Sequence, residues 1–156
     1  MFTTLTVFFV CLFLLIITGA FFLGRKAAKN PQWRENPPAA AKLSLLAFLV
    51  FFGCFLFPIR SQVAPLDFFK LYLLLATYTA VGAAFPHIFK KSGFLFTYLS
   101  TLTCTALGMI CGYFLEYGEV SNTYNFTPEN IVSYLVLIPG FVVVVYELRL
   151  RHLKKI

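Results

Sequence analysis

From Phe2 to Leu23 the chain carries no charged side chain at all, and the run stops at Arg25-Lys26. A helix needs about 17–25 largely apolar residues to cross roughly 30 Å of hydrocarbon. Four more runs answer that description: Leu43 to Ile59 between Lys42 and Arg60, Phe68 to Phe89, Phe94 to Leu115 before Glu116, and Ile131 to Leu148 before a basic tail. None alternates apolar and polar residues as a lipid-facing barrel strand would. Backbone groups find no water in lipid, so such runs must satisfy one another as helices. The sequence predicts an all-α, polytopic membrane helix bundle of five transmembrane helices, a single transmembrane domain over residues 1–156.

Composition closes off the alternatives. Hydrophobic residues make up 60% of the chain and charged residues 12%, whereas a soluble domain carries about 25% charge. The 20 Phe and 8 Tyr argue equally against disorder, which is poor in aromatics. Met1 to Thr6 lacks the basic start of a signal peptide, and a basic cluster follows the first run. A retained helix is therefore expected there, not a cleaved leader.

The connections carry helix-boundary chemistry. Asn36-Pro37-Pro38 breaks any helix before Ala39-Ala40-Ala41 starts another. Thr127-Pro128-Glu129 combines a capping hydroxyl, a proline suited to the first turn and a carboxylate at the positive end of the dipole. Asp67 is placed to cap the third helix, Ser92-Gly93 to make a tight turn, and Pro58 and Pro86 to end spans.

Charge then sets the orientation. With five crossings, the Arg25–Lys42 loop, the Lys90-Lys91 turn and the tail share one side, which holds 11 of the 13 Lys and Arg residues. Cytoplasmic loops collect such residues, so the N-terminus is expected outside and the C-terminus in the cytoplasm. The membrane is then the cytoplasmic (inner) membrane or that of an organelle. Arg25, Lys26, Lys29 and Arg34, with Trp33 at the interface, and Arg149, Arg151, Lys154 and Lys155, beside His152, form two basic clusters. Each such charge near anionic lipid headgroups contributes about 1 kcal/mol. Placed at helix ends, they point to the bilayer as partner and away from nucleic acid.

Reactive chemistry is sparse. The middles of the spans hold no ionisable residue, and Lys70, His87, Glu116 and Glu147 all stand near helix ends, Glu147 one turn from Arg151. That pattern disfavours a proton-coupled carrier, which places carboxylates at membrane depth. His87 and His152 are the only histidines. A haem between two imidazoles would draw one ligand from the tail, so His87 reads as an interfacial helix end. Cys11, Cys54, Cys104 and Cys111 show no metal-ligand spacing and read as packing residues. No metal and no cofactor is expected, and no catalytic residue stands out.

Packing signals are stronger. Thr97, Thr101, Thr105, Gly108 and Gly112 recur every three or four residues, giving the fourth span a small, weakly polar stripe that ends in GxxxG. The third span answers with Ala76, Ala80, Ala83 and Ala84, near Thr79 and Gly82. These stripes are expected to pack on each other or on a partner. Pro139-Gly140 falls mid-span in the fifth helix, where proline frees a carbonyl and gives a candidate hinge. The Glu116–Asn130 loop reads as a solvated interfacial loop anchored by Tyr117, Tyr124 and Phe126.

The expected function is that of a non-catalytic integral membrane protein, an accessory or structural subunit packing with other membrane subunits or with itself. A small oligomeric transporter or channel component is the alternative. A lipid-acting membrane enzyme, recruiting His87, Glu147 or the tail, comes third.

Overall fold

A computed structural model describes residues 29–56, 67–90 and 92–155. The first apolar run, with Cys11, Arg25 and Lys26, and the Pro58–Arg60 segment lie outside the described residues. Contacts divide the chain into two units, Met1–Pro38 and Ala39–Ile156.

In the first unit, α1 (Pro31–Glu35) is a single capped turn. The Asn30 side chain accepts a hydrogen bond from the Gln32 amide at 3.0 Å, and Pro31 occupies the first turn, where its missing N–H costs nothing. Trp33 is half-buried.

The described part of the second unit is five helices joined by turns: α2 (Ala39–Leu56), α3 (Phe68–Ile88), α4 (Phe94–Leu115), α5 (Val120–Asn125) and α6 (Pro128–Leu153). By length and composition α3, α4 and α6 suffice to cross a membrane, and α2 falls just short over Ala39–Phe55. Asp67 caps α3 by accepting from the Phe69 and Lys70 amides, both at 3.1 Å. Thr127 caps α6, accepting from the Asn130 amide at 3.4 Å. α6 outruns its apolar stretch, Ile131 to Leu148, at both ends. Hydropathy marks the hydrocarbon, whereas caps mark the helix, and the last turns of α6 carry Arg149 and Arg151 beyond the apolar stretch.

Glycine decides which helices touch. On α4, a Cβ added at Gly108 would lie 2.7 Å from the Val50 carbonyl oxygen and 2.9 Å from the Gly53 Cα; one at Gly112 would lie 3.0 Å from the Cys54 carbonyl oxygen. Position advances along α2 and α4 together, so these two helices are parallel. Gly82 on α3 lies just as close to α6, where an added Cβ would meet the Val142 carbonyl oxygen and the Val145 Cβ at 2.8 Å. The bundle is thus two parallel pairs, α2/α4 and α3/α6, joined where α4 meets α6.

Of the two packings expected of the small stripes, on each other or on a partner, the first is not the one seen within this bundle: the stripe of α4 faces α2. Helices α3 and α4, consecutive in sequence, make no extended contact. The glycines of α4 are spent on α2, and of the alanine stripe Ala76 and Ala80 are exposed while Ala83 and Ala84 are half-buried.

The core is built from Leu49 and Phe52 of α2, Leu74, Tyr78, Val81 and Phe85 of α3, Cys104 of α4, and Ile138, Val142 and Tyr146 of α6. Phe52 and Tyr78 meet edge-to-face with centroids 5.8 Å apart. Lipid is as apolar as these side chains, so close dispersion contact, not water exclusion, holds the helices together. At one end the Tyr146 hydroxyl, 1% exposed, donates to the Ser92 carbonyl. Ser92 in turn donates from Oγ to the Phe89 carbonyl at 2.6 Å, which pins the α3–α4 turn to α6.

Candidate functional site

A seam of hydroxyls runs down the inside of α4. Thr97, Thr101 and Thr105 repeat every four residues, share one helix face, and are 0–1% exposed. Serine and threonine in apolar helices usually return their proton to a carbonyl one turn earlier. Thr97 does so to Gly93 at 3.2 Å, Ser100 to Phe96 at 2.5 Å and Thr103 to Leu99 at 2.8 Å. Thr101 and Thr105 do not: their hydroxyl oxygens are buried with no hydrogen-bond partner. Tyr78, reaching across from α3, interacts with Thr105 without achieving hydrogen-bond geometry. Leaving such a group unpaired costs about 1–3 kcal/mol.

The opposite end of α4 opens into a groove of about 450 Å³. Ala106, Met109, Ile110, Tyr113 and Phe114 of α4 form one wall, and Phe126, Ile131 and Leu135 form the other. Tyr113 and Phe126 meet edge-on across it with centroids 5.0 Å apart. Leu135 matters for a second reason. Pro139 has no N–H to give it, so the Leu135 carbonyl loses its partner within the helix.

The segment over the mouth is more ordered than a solvated loop. Gly118, at φ +85°, takes the left-handed turn that glycine accommodates, and α5 follows. Asn122 folds back over α4, donating from Nδ2 to the Tyr113 carbonyl at 3.2 Å and to the Glu116 carbonyl at 2.6 Å. It adds a donor at the end of α4, where the Glu116 carbonyl also accepts from the Glu119 amide at 2.9 Å. Its own Oδ1 is buried without a donor. Asn125 is 1% exposed. Asn122 and Asn125 turn inward to close the end of the bundle, while Tyr117, Gly118, Glu119, Val120 and Glu129 of the same connection stay exposed.

The remaining expected residues are scattered. Pro139 is buried in the core and α6 continues through it, while Gly140 has open space where a Cβ would stand. Arg151, His152, Lys154 and Lys155 are exposed and Arg149 is half-buried, at the end pinned by Tyr146. His87 is exposed near the same turn. Cys54, Cys104 and Cys111 are free thiols. No three His, Cys, Asp or Glu side chains come together as a metal set among the described residues.

The groove had no signature in the sequence. Its walls come from residues separated by the whole of α5, and each is an ordinary apolar residue. Only the two asparagines, unusual beside so many aromatics, mark the place.

Compared with known proteins, the chain matches no family model, no curated protein and no solved structure.

Proposed function

We propose that the chain is a non-catalytic, multi-pass membrane protein that serves as a packing subunit of a larger membrane assembly. It crosses five times, Phe2 to Leu23 supplying the first crossing, with the basic helix ends and the C-terminus in the cytoplasm. Its place is the cytoplasmic membrane, or the equivalent organelle membrane.

One observation carries the reading. α4 uses its small residues against α2, while the opposite face presents Leu95, Leu99, Leu107, Ile110 and Phe114, each 47–69% exposed. Rigid aromatic and leucine surface of this kind gives a neighbouring membrane helix extensive dispersion contact. The ionisable side chains stand towards helix ends, which fits a protein that works through surfaces. A small oligomeric transporter is the second reading, favoured by the orphaned hydroxyls of Thr101 and Thr105 inside the bundle.

Extraction in a mild detergent followed by native mass measurement separates these. A stable heteromeric partner is the expected result. A homo-oligomer that takes up solute would favour transport, and a lone chain accompanied only by lipid contradicts both readings.

A further inference from the structure

Two thiols stand on the same flank of the α2/α4 contact. Gly53 and Gly108 meet there backbone to backbone: a Cβ added at Gly53 would lie 3.3 Å from the Gly108 Cα. At about 3.6 residues per turn, the neighbours of Gly53 turn about 100° to either side of it. Phe52 turns into the core and is 8% exposed, so Cys54 turns to the outer flank, where it is half-buried. On α4, Thr105 and Cys111 stand at equal spacing before and after Gly108, about 60° to either side of it. Thr105 is the inner one, 1% exposed, and Cys111 is exposed on the outer flank.

The two thiols also share a depth. Gly112 directly follows Cys111, and a Cβ added there would lie 3.7 Å from the Cys54 Cα. Cys54 is within electrostatic reach of the Cys111 thiol and of Glu116, the residue at which α4 ends. A disulfide needs Cα atoms about 4.4–6.8 Å apart. Helices at the usual spacing of about 8–10 Å hold flanking Cα atoms beyond that range. A glycine contact such as Gly53–Gly108 is what brings them within it. Cys104, earlier on α4, belongs to the core cluster and faces away from this flank.

We propose that Cys54 and Cys111 are a dithiol pair that closes to a disulfide between α2 and α4. The exposed Cys111 reacts first: its thiolate attacks one sulfur of a small-molecule disulfide, expelling a thiolate and forming a mixed disulfide. The Cys54 thiolate then attacks the Cys111 sulfur and expels the second thiolate. Two protein thiols are oxidised, their protons pass to the two departing thiolates, and the small disulfide is reduced to two thiols. The closed bond ties α2 to α4 covalently near the α4–α6 connection. In the orientation proposed above, that end of the bundle faces outside, where disulfides persist. The pairing goes beyond the subunit reading and stands independently of it.

The full chain carrying Cys11→Ala and Cys104→Ala, reconstituted in phosphatidylcholine nanodiscs, is treated with dithiodipyridine and followed by thiopyridone release and intact mass. Two thiopyridones should be released per chain with no pyridyl adduct retained. Digestion should then recover Cys54 and Cys111 in one reducible cross-linked pair. Adding Cys54→Ala should leave a single pyridyl adduct on Cys111, because the second attack is lost. A Cys11→Ala/Cys111→Ala chain, which keeps Cys54 and Cys104, should form no cross-link. Stable pyridyl adducts on both Cys54 and Cys111 overturn the assignment, and so do thiols that stay unreacted. A cross-link between Cys54 and Cys104, or a Cys111 disulfide joining two chains with Cys54 left free, overturns it equally.

Discussion

Replacing Gly108 with alanine should loosen the bundle by about 1–3 kcal/mol, the usual cost of forcing a methyl group into a packed interior. The three atoms that the new Cβ would meet are the Val50 carbonyl oxygen at 2.7 Å, the Gly53 Cα at 2.9 Å and the Cys54 nitrogen at 3.1 Å. All three are backbone, so no side chain can rotate away and the helices themselves must separate. Separation also forfeits any Cα–H···O contact at the crossing, worth about 0.5–1 kcal/mol more for each. Gly140→Ala is the matched control. No atom lies within 4 Å of its added Cβ, and alanine in a helix is favoured over glycine by about 0.5–1 kcal/mol. Unfolding in mixed micelles, followed by circular dichroism, should therefore move in opposite directions for the two variants. If both shift alike, α2 and α4 are not in backbone contact.

Gly82→Ala should be comparably damaging at the other parallel pair, with a different recovery. Its added Cβ would meet the Val142 carbonyl oxygen and Val145 Cβ at 2.8 Å, and Val145 Cγ1 at 3.0 Å. Of these, the Cγ1 clash is removable by side-chain truncation and the carbonyl clash is not. Val145→Ala should thus restore part of the stability lost in Gly82→Ala. Residues in direct contact typically show coupling of about 0.5–3 kcal/mol in a double-mutant cycle. The same unfolding assay reads it, and strict additivity would mean that Gly82 does not face Val145.

Both predictions concern contacts that periodicity alone does not reveal. The spacing of Thr97, Thr101, Thr105, Gly108 and Gly112 shows that they share a face, and they are buried together. It says nothing of what covers that face, since any helix able to approach would do. The stripes of α3 and α4 do not meet, because α4 packs on α2 and α6 while α3 packs chiefly on α6. Caps were legible at Asp67 and Thr127 because a single side chain and its next few amides define them. Helix α5 was not, because Val120–Asn125 owes its place to Asn122 bonding back to α4. The groove was hidden for a related reason: its shape belongs to no single segment.

Sidedness follows from this packing. The parallel pairs bring the start of α2, the α3–α4 turn and the end of α6 to one end of the bundle, and the α4–α6 connection to the other. The basic residues of the turn and tail then meet the same leaflet. In a background with Cys11, Cys54, Cys104 and Cys111 replaced, single cysteines at Lys90, Lys154 and Glu119 report it through a membrane-impermeant maleimide. Intact cells should label Glu119→Cys alone, and Lys90→Cys and Lys154→Cys should react only once the membrane is permeabilised. Labelling of Lys90→Cys and Lys154→Cys from opposite faces would contradict a membrane-spanning bundle of this topology.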